Sequence, residues 1–169
     1  MKKIRFGVVG TNNITDWVIA GGREDERFEL AAVCSRTRER AEEFAAKHSI
    51  PHIFTSLEEM AKSPLIDAVY IATPNYMHAR QSILCMDNGK HVLCEKPIAC
   101  TAAEAEEMIA AAQKSGKLLM EAFMYRYGGK FRKMMEILES GVLGKIKAVQ
   151  GSHGYTLDWA SPAREDPSL

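Results

Sequence analysis

The sequence has no charge of one sign to spare: its 169 residues hold 22 lysines and arginines against 22 aspartates and glutamates. With no basic excess to neutralise phosphates along a duplex and no acidic tail, nucleic acid is excluded as the main partner. Long apolar runs are also missing. None approaches the roughly eighteen residues that a bilayer demands, and the Met1-Lys2-Lys3 start carries no signal-type apolar region, so the expected location is cytoplasmic, with no membrane partner. Cysteine is scarce and unpaired in pattern. Cys34, Cys85, Cys94 and Cys100 form no C-x-x-C, which points to reduced thiols and to no metal site. Cys34 and Cys94 sit inside apolar runs, where a free cysteine packs as a small hydrophobe. Aromatic residues make up only 8%, but hydrophobic residues reach 46%, enough for a real core. The length suits one domain and leaves too little for a second.

What is present is rhythm. Apolar runs recur at residues 4–9, 28–34, 68–72, 91–94, 118–123 and 146–149, each of strand length and with no in-out alternation. A strand covered by helices on both faces reads this way, so a parallel sheet is expected. Between the runs lie segments rich in Ala, Glu, Lys and Met at 37–48, 56–62, 76–88, 101–115 and 129–140, which predict helices. Gly89, Gly116 and Gly141 stand just past three of them, where a left-handed residue closes a helix. Ser56 with Glu59, and Thr101 with Glu104, have the spacing of capping boxes. Most of the nine methionines read as core, the alternative being an adaptable surface around Met120, Met124, Met134 and Met135. The fold class is therefore α/β, with a βαβ repeat; residues 151–169 carry no period and read as an unfinished element or tail.

Chemistry concentrates where these strands end. The first strand runs into Gly7-Val8-Val9-Gly10-Thr11-Asn12-Asn13-Ile14, the place where a pyrophosphate sits on a helix N-terminus. A full G-x-G-x-x-G would need glycine at 12 and a small residue at 15, but Asn12 and Thr15 stand there. Asn tolerates left-handed geometry, so either the turn survives and binds, or it is a tight turn without a ligand. The second strand ends in Ser35-Arg36-Thr37-Arg38-Glu39-Arg40, about twenty residues on, at the position that reads the adenosine ribose. An acidic residue there selects NAD; a hydroxyl and arginines suit a 2′-phosphate, so NADP is favoured, with NAD the alternative. Arginines at a helix start also oppose its dipole, which hints at an anion nearby. A third loop, Thr73-Pro74-Asn75-Tyr76-Met77-His78, opens a helix at a strand end, where His78 taken alone is more often a local hydrogen-bonder than a ligand contact. A fourth carries Cys94-Glu95-Lys96-Pro97. Lys96 is either one half of a surface pair or a proton-transfer group that Glu95 orients.

Together, Gly7 to Ile14, Tyr70-Ile71-Ala72-Thr73-Pro74-Asn75 with His78, Gly89 to Pro97, and Glu121-Ala122-Phe123-Met124-Tyr125-Arg126 resemble the N-terminal half of the Gfo/Idh/MocA oxidoreductases, most closely the dihydrodiol and xylose dehydrogenase-like branch. The resemblance implies a Rossmann-type doubly wound parallel sheet over residues 1–125 that binds NADP or NAD. Residues 126–169 would be the last helix and the strand leading into a C-terminal α/β domain that is absent or only begun. It implies Lys96 as the catalytic proton carrier with Glu95 beside it. Gly7, Gly10, Asn12, Asn13 and Ile14 would form the turn against the pyrophosphate, and Ser35, Arg36 and Arg40 would read the ribose. Thr73, Pro74, Asn75, His78, Glu95, Met124 and Arg126 would line the nicotinamide half. It implies further an unusual Lys96–Pro97 peptide and a sugar, polyol or diol substrate, with His153 not to be taken for the family's second catalytic histidine. Without the substrate half, the 169 residues alone are expected to be inactive, and an exposed apolar cut face would suit a homo-oligomer. The second reading is a nucleotide-binding or interaction module with a degraded turn and no catalysis. Retention of Glu95-Lys96-Pro97 weighs against it.

Overall fold

The structure is a computed structural model that describes residues 2–152 and 154. Strands β1 (Ile4–Val9), β2 (Phe28–Cys34), β3 (His52–Phe54), β4 (Ala68–Ile71), β5 (His91–Cys94) and β6 (Leu119–Glu121) form one sheet in the order β3-β2-β1-β4-β5-β6. Every pairing is parallel. Between them run α1 (Asn13–Gly22), α2 (Arg38–His48), α3 (Leu57–Lys62), α4 (His78–Asp87) and α5 (Ala102–Ser115). The order reverses between β1 and β4, the doubly wound topology of a Rossmann fold.

Neighbouring residues of each strand face opposite layers, which explains the continuous apolar runs. Val8, Val33 and Tyr70 pack with Ile19 and Phe44 on one side; Val9, Cys34, Val69 and Ile71 pack with Met60, Met86 and Met108 on the other. Gly7 belongs to the second layer. A Cβ there would lie 3.1 Å from Met60 Sδ and 3.2 Å from Ile66 Cδ1, so this glycine makes room for the α3 side.

Helix ends follow the sequence. Gly89, Gly116 and Gly141 all have positive φ. At α5 the capping box closes fully, Thr101 Oγ1 accepting from Glu104 N and Glu104 Oε2 accepting from Thr101 N. At α3 the Ser56 hydroxyl accepts from Glu59 N, but the carboxylate it engages is that of Glu58.

Three differences from the sequence expectation have physical causes. Strand β3 was not foreseen, because three residues after Pro51 give too short a pattern to read. The expected helix at 76–88 begins with a separate 3-10 turn, Asn75–Met77, since Pro74 interrupts the approach. Residues 146–149 form no strand: none of the described residues offers a ladder, and Val149 is 88% exposed. His153, Tyr155 and residues 158–169 lie outside the described residues. Of the methionines, Met60, Met86 and Met108 are core, whereas Met120, Met124 and Met134 are exposed.

The chain divides into two units at Ala122 and Phe123. The second unit contains a 3-10 turn, Met124–Tyr127, and α6 (Gly129–Glu139), in which Lys133 pairs with Glu136 one turn on. Among the described residues no helix is long and apolar enough to cross a membrane.

Arg5 grips Asp67 by Nε at 2.9 Å and Nη2 at 2.8 Å, and the Arg5 backbone N–H adds a third bond. These contacts hold the Asp67 carboxyl well below the usual carboxylate range. A depressed folded value stabilises above the unfolded pKa of about 3.9 and is lost as pH falls. Urea midpoints should therefore drop below about pH 5, and less steeply in Asp67→Asn, which starts lower at neutral pH. Solvent screening of the partly exposed pair keeps the difference modest. Burial pushes the Cys34 and Cys94 thiols up to about 11 and Cys85 up to about 12, while Cys100 is exposed. A thiol reagent should accordingly titrate Cys100 alone in the folded protein and all four thiols after denaturation.

Candidate functional site

The carboxyl ends of β1, β2 and β4 surround a cleft of about 300 Å³ at the point where the strand order reverses. Open α/β sheets bind ligands at this point. Its walls are the turn Gly10-Thr11-Asn12, the β2 end Cys34-Ser35-Arg36 with Arg40, the β4 end Ala72-Thr73-Pro74, and Thr55, Leu57 and Met77. Two arginines and no carboxylate line it. Arg38, between them in sequence, is spent on Glu42 at 2.9 Å, whereas Arg36 and Arg40 enter no ion pair among the described residues. The cleft wall is cationic, with the carboxylates of Asp16 and Glu43 in the adjoining hollow that Arg40 also lines.

The β1–α1 turn is built by side chains where the fingerprint would have glycine. Gly10 takes φ +100°, and a Cβ there would sit 2.4 Å from Ala72 O, so the backbones of the two central strand ends touch. Asn12 is extended, with φ −108°, so it contributes no left-handed residue. It caps α1 instead. Its Oδ1 accepts from Thr15 N, its Nδ2 donates to Ala72 O at 2.7 Å, and Thr15 Oγ1 donates to Gly10 O at 3.0 Å. The substituted residues close the turn and leave the positive end of α1 at the cleft. Behind it Asp16 ties α1 to α2 through Lys47 at 2.8 Å and His48 at 2.6 Å.

The Lys96 loop lies at the end of β5. Glu95 is buried, its N–H donating to Ile71 O of β4. Its carboxylate accepts from the Tyr70 hydroxyl at 2.7 Å and from Lys96 N at 3.2 Å. Burial and this carboxylate push the Tyr70 pKa up, so the phenol stays a donor. Glu95 thus fixes the Lys96 backbone, and no ion pair joins it to the exposed Lys96 ammonium among the described residues. The Lys96–Pro97 peptide is cis. Glu121 Oε1 accepts from Ile98 N at 3.0 Å, securing the far side of the loop from β6.

Of the residues singled out from sequence, the cleft gathers Gly10, Asn12, Ser35, Arg36, Arg40, Thr73 and Pro74. Gly7 lies in mid-strand against Met60. Asn13 lines a smaller hollow with Asp16 and Lys47, and Ile14 packs against the core. Asn75 starts the 3-10 turn beside the cleft; His78 is fully buried. Met124 and Arg126 belong to the second unit. Sequence reasoning missed Thr55 and Leu57 because it missed β3; the cue was His52-Ile53-Phe54 directly before a capping serine. It also missed Gln81, which accepts from Thr73 Oγ1 at 2.6 Å one helical turn beyond the motif.

A doubly wound sheet with a cationic cleft at its switch point and a glycine turn over a helix start defines a dinucleotide-binding domain. Residues 4–123 match the oxidoreductase family with an NAD-binding Rossmann fold named GFO_IDH_MocA, and the chain belongs to that family. It is 47% identical over 150 residues to scyllo-inositol 2-dehydrogenase (NADP(+)) IolU of Bacillus subtilis, covering 89% of this chain and 45% of that protein. It is 36% identical over 156 residues to trans-1,2-dihydrobenzene-1,2-diol dehydrogenase of Mus musculus, covering 91% and 47%. Among solved structures it resembles KijD10, a 3-ketoreductase from Actinomadura kijaniata in complex with TDP-benzene and NADP, with 31% identity, a TM-score of 0.76 and coverage of 83% and 45%. The chain spans about half the length of the curated relatives it matches.

Proposed function

We propose that this domain binds NADP in preference to NAD, and that it serves a dehydrogenase acting on a sugar, polyol or diol. The observation that carries the reading is the composition of the cleft wall at the β2 end: Ser35, Arg36 and Arg40, with no carboxylate among the lining residues. A carboxylate there accepts from a free ribose 2′-hydroxyl and repels a 2′-phosphate, whereas a hydroxyl and two guanidinium groups do the reverse. The Bacillus relative, whose name carries NADP(+), supports the same choice.

The residues present fit such a cofactor. The close approach at Gly10 keeps the turn low enough for a pyrophosphate over the start of α1, where Asn12, Asn13 and Ile14 present backbone to it. Thr73, Pro74 and Asn75 would border the nicotinamide half. The chemistry that a bound nicotinamide would supply there is hydride exchange with the substrate carbon. Lys96, exposed at the end of β5, would hold the proton exchanged with the substrate oxygen. Glu95 acts on it through the backbone, accepting from Lys96 N while no ion pair joins the carboxylate to the ammonium among the described residues.

Calorimetric titration with NADP and with NAD tests the proposal. Micromolar NADP binding with NAD at least about tenfold weaker is expected, a difference of about 1.4 kcal/mol. Equal affinity would remove the NADP preference, and no binding of either would remove the cofactor reading.

A further inference from the structure

We infer that His78 is a positioning residue that sets the Lys96 loop at a fixed distance from the cofactor cleft, and that it touches no cofactor itself; the inference rests on the cofactor reading above. The side chain has no exposed surface. Its Nδ1 lies 2.8 Å from Pro97 O and its Nε2 2.9 Å from Thr73 O. One carbonyl belongs to the residue after Lys96; the other belongs to a loop that lines the cleft. A planar ring between two backbone carbonyls is a spacer of constant width, because it has no internal torsion to yield; a neutral ring donates to one of the carbonyls and only the imidazolium to both. Neighbouring contacts hold the Lys96 loop by other routes, Glu95 from its own start and Glu121 from β6. Glu95 already joins the loop to β4; His78 adds the tie to the Thr73 loop, and so couples the proton-bearing lysine to the wall of the cleft. The buried position gives this tie a low-dielectric setting in which a lost hydrogen bond is costly.

The two arms can be cut separately. In His78→Asn the amide nitrogen falls near the Nδ1 position, toward Pro97 O; in His78→Gln it falls near the Nε2 position, toward Thr73 O. Hydrogen exchange is followed in the cofactor-free protein at the Lys96 and Ile98 amides, with the β4 amides as reference. His78→Gln should speed loop exchange about tenfold and leave β4 unchanged, and His78→Asn should restore the loop toward wild type. Loop exchange unchanged in His78→Gln, or loop and β4 accelerated alike in both variants, would overturn the inference. Affinity gives a second readout. His78→Gln should weaken NADP about tenfold but 2′,5′-ADP, which lacks the nicotinamide half, less than about twofold. Equal weakening of both nucleotides would also overturn it. Should the wild-type protein bind neither nucleotide, the cofactor reading fails, and the exchange comparison still decides the role of His78.

Discussion

Substituting alanine for Gly10 should lower the thermal midpoint by roughly ten degrees, far more than the same change at another positive-φ glycine. Two costs combine. An alanine at φ +100° sits in a region that L-residues avoid, at about 1–2 kcal/mol. Its methyl would also lie 2.4 Å from Ala72 O, so one of the two central strand ends must move aside. Forcing an extra methyl into packed structure adds about 1–3 kcal/mol. Gly116 is the control, since its φ is +65° but nothing lies within 4 Å of the added Cβ. Gly116→Ala should therefore show only the backbone cost, about 1 kcal/mol. Differential scanning of the two variants separates the terms. If they melt together, the close approach of β1 and β4 is not what demands glycine at position 10. NADP binding should weaken in Gly10→Ala by at least about tenfold even below its melting point, because the displaced turn carries the start of α1 away with it.

The fold was legible because each buried strand is an unbroken apolar run. Ile4–Val9 and Phe28–Cys34 read as doubly covered strands from residues alone, and helices ended where Gly89 and Gly116 stood. Failures came where pattern is not enough. His52–Phe54 has three residues and gains its strand geometry from the ladder of β2, a tertiary fact with no local signature. Residues 146–149 have the apolar content of a strand, yet none of the described residues pairs with them and their side chains are exposed.

The site was legible in its positions and less so in its mechanics. Strand ends can be placed from the sequence, so Gly10, Ser35, Arg36 and Thr73 are expected where they line the cleft. The sequence could not say which polar groups are already spent. Asn12 and Thr15 read as losses from a glycine fingerprint, but their side chains bond to Ala72 O and Gly10 O and so rebuild the turn. Glu95 next to Lys96 reads as an ion pair, whereas Tyr70, twenty-five residues upstream in sequence, takes one of its oxygens in the core. Such partners lie on other strands, and only the register of the sheet brings them together.

Removing Arg36 should convert the preference of the cleft more than its affinity for nucleotides in general. A guanidinium bonded to a phosphate is worth about 1.5–3 kcal/mol, so Arg36→Ala should weaken NADP by roughly 10- to 100-fold. NAD, with a hydroxyl at the same place, should change by less than about twofold. Arg40→Ala should act in the same direction, because Arg40 lines the same wall from the first turn of α2. Arg38→Ala should do nothing to either cofactor, since that side chain is directed to Glu42. The loss in Arg36→Ala should shrink at high salt, where exposed charge is screened within a few ångströms. Equal weakening of NAD and NADP would place Arg36 on the adenine or the pyrophosphate instead of the 2′-phosphate. The complementary change is Ser35→Asp, which supplies the acceptor that a free 2′-hydroxyl needs and sets a negative charge against a phosphate. In an Arg36→Ala background it should invert the order of the two affinities. An inverted order requires that the selecting atoms sit at the end of β2, and a merely flattened one would mean that discrimination comes from elsewhere in the cleft.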